Sequence, residues 1–220
     1  MKRTAVVVGA VLFAAIGGPG LARAQLAGMP VWNSPKGGTG FTIAGDIGRP
    51  DSIGGKGTTY AARAILGLSA LTVSATVGVH NPSGTGSNVT EYGGSAALRL
   101  IGGSLIPVSM NLQGGYAGFS QAGVTNSRVI GAVGLAIDLP TPGVTIEPWV
   151  APGVRMNHVG ATLLTASQTN TEFGLAGGLT IGLGMLGVHA AVDYEGVAGG
   201  GHATTLGIGV HLAFRPSFGL

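Results

Sequence analysis

Two acidic residues and three histidines come closest to forming an acid–base site in this sequence. Asp193 and Glu195 are two residues apart, His202 follows after a glycine-rich stretch, and His80 and His158 stand at the ends of other apolar runs. Carboxylates and imidazoles so placed can donate and accept protons in catalysis. No serine or further aspartate completes a known catalytic arrangement, and the histidines lack the spacing of metal ligands. The sequence therefore predicts no catalytic residue, no metal site and no cofactor.

A structural role is indicated for most charged residues, because those within the predicted strands all fall on one face. Charges enclosed in a protein interior must pair, so we expect a network that fills the interior and fixes the register. The residues of this predicted lumen-facing network are Asp46, Arg63, Glu91, Arg99, Arg128, Asp138, Glu147, Arg155, Glu172, Asp193 and Glu195. Two layers are expected, with Arg128, Arg155 and Glu172 near the long loops and Arg99, Asp138 and Glu147 near the tight turns.

The elements that must position these residues are β-strands, because apolar residues recur at every second position. In the segment 71–79, Leu71, Val73 and Val77 alternate with polar or small residues, which is the pattern of a strand with two different faces. Each such segment is about as long as a tilted strand that crosses a bilayer, roughly 9–11 residues. Ten segments follow the pattern, near 39–48, 57–68, 71–80, 90–101, 106–118, 127–139, 143–157, 170–181, 186–195 and 203–214.

The connections between these segments alternate in length. The predicted tight turns are 69–70, 102–105, 140–142 and 182–185, and the predicted longer loops are 49–56, 81–89, 119–126, 158–169 and 196–202. Short turns on one side and longer loops on the other are typical of outer-membrane barrels. The predicted fold class is therefore all-β, a transmembrane up-and-down antiparallel β-barrel of about 10 strands. Eight or twelve strands are the alternatives if a pair of strands is merged or missed.

The distribution of aromatic residues favours this barrel over a soluble β-sandwich or a helical membrane protein. Five aromatic residues lie on the apolar face close to a long loop, as expected for a girdle at a membrane interface. A sandwich would turn its charges towards water, and the uncharged stretch 64–90 contains alternating Thr and Ser rather than a solid apolar helix. The predicted girdle consists of Tyr60, Tyr92, Tyr116, Phe173 and Tyr194.

The first 24 residues have the features of an export signal. Lys2 and Arg3 precede an apolar run of 12 residues over 5–16, and a small-x-small site ends at Ala24. An uncleaved anchor is the alternative. Cleavage near Ala24 leaves eight basic residues against eight acidic ones, so no basic patch indicates a nucleic-acid partner. The expected division is a signal peptide at 1–24, a periplasmic amino-terminal lead at 25–38, a barrel at 39–214 and a carboxy-terminal tail at 215–220.

Two strands carry sequence features that are more specific than alternation alone. The segment 144–154 combines glycine with proline and Trp149, and the last alternating strand ends at Phe214. With these features the chain resembles the small outer-membrane β-barrel superfamily of the OmpA/OmpX type, over nearly all of its length but at the level of pattern. The resemblance implies a bacterial outer-membrane location, contact with outer-membrane lipid and insertion by the barrel assembly machinery. In such families the aromatic strand end is a cue for that machinery, and here the tail 215–220 displaces it.

Three functions remain open at this stage. The first is a structural or surface-exposed barrel without catalysis. The second is a narrow, porin-like channel for ions or small solutes, favoured by small inward residues such as Gly78, Gly174 and Gly178. The third is an enzyme acting on lipid or peptide at the loop rim. We further expect a weakened or bulged seam where Pro148 and Pro152 remove backbone N–H groups that would face the same neighbouring strand.

Overall fold

The computed structural model describes residues 26, 29–30, 37–84, 86–103, 106–121, 124–161 and 166–214. The predicted signal peptide and carboxy-terminal tail lie outside this part of the chain. No helix among the described residues is long and apolar enough to span a membrane. The strands are β1 (Gly38–Pro50), β2 (Gly57–Ser69), β3 (Leu71–Pro82), β4 (Val89–Gly103), β5 (Ile106–Gln121), β6 (Val124–Ile137), β7 (Leu139–Thr141), β8 (Val144–Val159), β9 (Gln168–Leu183), β10 (Leu186–Gly196) and β11 (His202–Phe214).

The strands form one closed antiparallel sheet. Apart from β6 and β7, which both pair with β8, each strand pairs with its neighbour in sequence. The strands β1 and β11 pair along ten residues and close the ring. The short strand β7 continues β6 after a break at Asp138, and both pair with β8 in one unbroken register. Together β6 and β7 therefore make a single barrel strand. The predicted fold class is confirmed, with ten strands rather than eight or twelve.

Most strands extend a few residues beyond their predicted limits, and one predicted loop is wrong. The stretch 119–126 is mostly strand, because β5 runs to Gln121 and β6 begins at Val124. Ser120 pairs with Thr125 in the ladder, and their hydroxyl groups lie 3.3 Å apart. Polar composition suggested a loop here, but polar residues such as threonine pair as readily as apolar ones where the strand leaves the membrane.

The two faces of the sheet have opposite character. Large apolar side chains such as Ile43, Leu66 and Ile208 are exposed on the outside of the barrel. The residues between them in the sequence point inward and are buried, as Ala44 and Asp46 show on β1. A water-soluble sheet protein buries its apolar face, so this reversed pattern is typical of transmembrane β-barrels.

The β6–β8 seam is interrupted at the two prolines without a change of register. The ladder omits the pairs that would join Val133 and Gly134 to Pro152 and Ala151, then resumes at Leu135 and stops again before Pro148. On the other side of β8, both prolines remain paired with β9. The seam is thus broken but not bulged, because proline lacks the N–H that the ladder needs on one side.

The described part of the amino-terminal segment lies inside the barrel. Leu26 and Met29 are 1% and 4% exposed and pack in one apolar cluster with inward residues of the strands, among them Trp149. Met29 N–H donates to the carbonyl of Leu26 at 3.2 Å, and the adjacent Pro30 is fully buried. The sequence analysis assigned 25–38 to a periplasmic lead outside the barrel. Leu26, Met29 and Pro30 lie within the lumen instead, because small residues on the walls leave room for their side chains.

Candidate functional site

Four inward side chains on adjacent strands form what we call the central cluster: Asp46, Arg63, His189 and His211. Asp46 accepts hydrogen bonds from Arg63 Nε at 3.1 Å and lies 2.7 Å from His189 Nε2. His189 Nδ1 and His211 Nδ1 are 3.2 Å apart, and the two rings stack. The four residues lie on β1, β2, β10 and β11, in that order. The cluster therefore spans the seam where the first and last strands close the barrel.

A second group lies nearer the rim formed by the longer loops, and we call it the loop-end cluster: Arg128, Arg155, Asp193 and Glu195. Arg155 Nη2 donates to Asp193 Oδ1 at 3.0 Å, and Arg128 forms an ion pair with Glu195. Arg128 also lies 3.7 Å from Asp193, and Arg155 lies 4.0 Å from Glu195. The arginines come from β6 and β8 and both carboxylates from β10, so these side chains reach past β9 across the lumen.

The arginines of the loop-end cluster have carboxylate partners other than the one expected from the sequence. Arg128 and Arg155 contact the same two carboxylates, which are Asp193 and Glu195 and not Glu172. Glu172 is the register neighbour of Arg155 on β9 and is partly buried. The strand ladder places neighbouring Cα atoms side by side, whereas long arginine side chains reach carboxylates two strands away.

The residues expected near the tight turns are distributed over three barrel strands. Arg99 is on β4, Asp138 lies at the break between β6 and β7, and Glu147 is on β8. Glu147 is buried, the other two are partly buried, and none of the three is without a partner. Glu91, the remaining charged residue of the predicted network, is buried on β4.

The wall formed by β5 carries neutral polar side chains instead of charges. Asn111 and Gln113 are buried, and Asn111 Oδ1 accepts hydrogen bonds from the Gly134 N–H at 3.1 Å and from Gln113 Nε2 at 3.4 Å. The lumen is therefore polar on several sides, with the charges concentrated on the β6–β8 and β10–β2 walls.

Several inward glycines accommodate the large side chains of their neighbours. A Cβ atom at Gly178 would lie 2.7 Å from the Trp149 ring, and one at Gly174 would lie 2.9 Å from the Arg155 guanidinium carbon. Such separations are well inside van der Waals contact. These glycines therefore make room for tryptophan and arginine, and their small size does not by itself indicate open space.

The five aromatic residues of the predicted girdle lie where the strands approach the longer loops. Tyr60, Tyr92, Phe173 and Tyr194 are exposed on the outer surface, and Tyr116 is partly exposed. Amphipathic rings at this level suit the boundary between hydrocarbon and water.

The candidates for acid–base chemistry are not brought together. The carboxylates of Asp193 and Glu195 are engaged by arginines, whereas the His202 ring stacks on Tyr194 at 4.6 Å between ring centres. His80 Nδ1 lies 2.9 Å from the Thr59 hydroxyl, and His158 Nδ1 lies 2.8 Å from that of Thr169. Among the described residues no group of three or more such side chains could hold a metal ion.

Outside the membrane-spanning strands, Asp51 attaches the first loop to β11. Its carboxylate accepts backbone N–H bonds from Gly54 at 2.7 Å, Thr204 at 2.8 Å and Ile53 at 2.9 Å. These bonds, the one from Gly54 first, lower the pKa of the Asp51 carboxyl, although its partial burial acts in the opposite direction. The charged form of Asp51 is thus the one that holds this loop.

Two parts of the site were missed from the sequence. His189 and His211 were not included in the predicted network, although their even spacing from Asp193 and Gly209 places them on the same face of the strands. The lumenal position of Leu26 and Met29 was also missed. An apolar segment so close to a signal cleavage site resembles part of the leader, and little else in the sequence distinguishes it.

Comparison with known proteins supports the fold and nothing finer. No family model and no curated protein matches this chain. Among solved structures, the β domain of the Bordetella autotransporter BrkA is 10% identical over 80% of this chain and all of its own length, with a TM-score of 0.51. The amino-terminal barrel of Pseudomonas aeruginosa OprF is 15% identical over 81% of this chain and 99% of its own, with a TM-score of 0.41.

Neisserial surface protein A gives a similar result, at 14% identity over 80% of this chain and 98% of its own, with a TM-score of 0.41. At such identities a likeness shows the fold alone. By its fold this chain is an outer-membrane β-barrel, and the predicted resemblance to small barrels of that class is confirmed at this level.

Proposed function

We propose that this chain is an integral protein of the outer membrane of a Gram-negative bacterium, with a closed lumen and a structural or surface-exposed role. The main support for a closed lumen is the loop-end cluster. Two arginines and two carboxylates bridge walls of the lumen there, and Arg155 is 0% exposed. Charges held in this way fill part of the lumen and brace its walls. Removal of residues 1–24 and contact of the apolar face with lipid are parts of the same proposal.

A role without catalysis agrees with the engagement of the candidate acid–base groups. A general acid or base must reach the proton that it transfers within hydrogen-bond distance. Asp193 and Glu195 are bound to arginines, and His202 is directed towards Tyr194 on the outer surface. Insertion by the barrel assembly machinery is likewise proposed, with Phe214 as a cue that is displaced from its usual terminal position by residues 215–220.

The closed lumen is tested by planar-bilayer conductance of the refolded protein without residues 1–24. We expect no discrete current steps. Insertion must be verified on the same preparation by comparing boiled and unboiled samples on a denaturing gel, because a folded barrel migrates differently from the unfolded chain. Discrete current steps from folded wild-type protein would refute the closed lumen.

A narrow channel is the second candidate, and one observation favours it. Polar side chains line the lumen on opposite walls, with Asn111 and Gln113 on β5 and the central cluster on β10 to β2. Wild-type current steps whose size depends on the salt used would support this candidate in the same recordings.

A further inference from the structure

Leu26, Met29 and Pro30 occupy a part of the lumen that the two charged clusters do not fill. The central cluster follows the wall from β10 to β2, and the loop-end cluster joins β6 and β8 to β10. Leu26 lies against β3 instead. Its Cδ1 is so close to Gly78 that a Cβ atom at that position would collide with it. The apolar cluster around Leu26 and Met29 extends to Ala61 on β2 and to Ile130 and Trp149 on the far side.

The strand residues of this cluster are too small to meet across the barrel without the segment. Besides Ile130 and Trp149, its strand members are all alanines. An eight-stranded barrel is just filled by its own side chains, and a ten-stranded barrel is wider. Protein interiors are close-packed. Leu26 and Met29 supply the missing volume, and the hydrogen bond from the Met29 N–H to the Leu26 carbonyl keeps both residues in the same cluster.

We propose that Leu26, Met29 and Pro30 form a plug, and that a pore for small ions opens when this plug leaves its site. The site is an apolar pocket in the lumen that recognises an apolar segment of the same chain. Within the described part of the chain, no ion pair of either cluster includes a plug residue, so the plug is held in its site by apolar packing. The inference rests on the proposed outer-membrane barrel and adds the element that closes it.

The polar walls define what would pass through the unplugged lumen. Asn111 and Gln113 on β5 face the lumen from one side, and Asp46 with Arg63 face it from another. Both signs of charge and neutral amides are present, so we expect conduction of small cations and anions with weak selectivity.

Conductance of a plug variant tests this directly. Leu26→Asn combined with Met29→Asn places two amides in the apolar cluster, and we expect frequent discrete current steps where wild type shows none. Ile53→Asn is the matched control, because Ile53 is an exposed apolar residue of the first loop and should leave the recordings silent. If the double variant does not give a folded barrel on the gel, Leu26→Ala with Met29→Ala makes a milder change of the same kind.

Cross-linking tests the position of the plug separately. The chain has no cysteine, so Leu26→Cys with Gly78→Cys creates a single pair whose side chains should form a disulfide on oxidation. Leu26→Cys with Ala61→Cys, bridged by a short bismaleimide, is the second pair if the change at Gly78 prevents folding. Leu26→Cys with Ile53→Cys should not cross-link.

The outcomes separate this inference from the proposed function. Silent wild type, a conducting plug variant and a formed cross-link support both. A folded plug variant as silent as wild type, or a missing cross-link in both pairs, overturns the plug and leaves the closed barrel intact. Conducting wild type overturns the closed lumen, and the plug then stands or falls on whether its variant raises the step frequency tenfold.

Discussion

The two charged clusters of the lumen connect different seams of the same barrel. The central cluster crosses the closure between β1 and β11, where the backbone ladder is complete, and one carboxylate, Asp46, serves both Arg63 and His189. The loop-end cluster crosses the β6–β8 seam, where two prolines interrupt the ladder, and it contains two arginines and two carboxylates. The cluster with two arginines and two carboxylates therefore lies at the seam whose backbone ladder is interrupted.

The largest loss of stability is expected in the central cluster, where one carboxylate, Asp46, contacts both Arg63 and His189. Asp46→Ala removes the carboxylate that Arg63 and His189 share, and breaking a buried ion pair in this way costs about 3–5 kcal/mol. The free energy of unfolding, measured by urea titration in lipid vesicles, should fall by that amount. Asp46→Ala combined with Arg63→Met is the control and should recover most of the loss, because both charges of the buried pair are removed together. A loss below about 1 kcal/mol for the single change would contradict the role of Asp46.

A smaller loss is expected for the corresponding change in the loop-end cluster. Arg155→Met removes the hydrogen bond to Asp193, but Arg128 lies 3.7 Å from that carboxylate and still neutralises it. Loss of one charge-assisted bond then costs about 1–3 kcal/mol in the same titration. Arg128→Met should behave alike, since Arg155 remains beside Asp193. A loss as large as that for Asp46→Ala would show that the cluster has no redundancy.

Asp51 offers a carboxylate outside the lumen for comparison with both clusters. Asp51→Ala removes three backbone hydrogen bonds in a solvated loop, and about 1 kcal/mol of stability should be lost at neutral pH. The pKa of Asp51 is lowered in the folded protein, so its contribution is present above the ordinary aspartate pKa and is lost as the pH falls through the lowered value.

The measurement for Asp51 is the difference in unfolding free energy between wild type and Asp51→Ala at pH 7 and in acid. The difference should shrink below about pH 4, where aspartate becomes protonated. Asp51→Asn is the matched control, because it keeps one acceptor oxygen and should lose less. A difference that grows towards acid pH would have the wrong sign for this assignment.

The smallest effect concerns the interrupted seam itself. Pro152→Val supplies an N–H opposite Val133, and one added ladder bond should stabilise the barrel by about 0.5–1.5 kcal/mol. If the loop-end cluster braces this seam, Arg155→Met should also be less harmful in the Pro152→Val protein. Pro107→Val, a proline change away from the β6–β8 seam, serves as the comparison. If Arg155→Met lowers the free energy of unfolding equally in wild type and in the Pro152→Val protein, the loop-end cluster does not brace this seam.

The strands could be predicted closely because each reads as a local pattern. Alternation of Leu71, Val73 and Val77 with polar residues fixes both the strand and its faces, and the tight turns then determine the neighbours. The interruption at Pro148 and Pro152 was predictable for the same reason, since a missing N–H is a property of the residue.

The pairing of charges could not be predicted to the same depth. Arg155 has Glu172 beside it in the register, yet its hydrogen bond goes to Asp193 two strands away. The choice depends on rotamers and on the room left by Gly174, which a linear pattern does not contain. The lumenal position of Leu26 depends in turn on the width of the closed barrel, which exists only after all ten strands have assembled.

The division into an inner polar face and an outer apolar face is the central claim, and neighbouring positions on β8 test it most directly. Trp149 is 6% exposed and points inward, whereas Val150 is 37% exposed and points outward. With Trp32→Phe removing the other tryptophan, fluorescence in vesicles of brominated lipid should be quenched weakly for Trp149. In a second protein that also carries Trp149→Phe, the indole introduced by Val150→Trp should be quenched strongly. Equal quenching at the two positions, or stronger quenching of Trp149, would contradict the account.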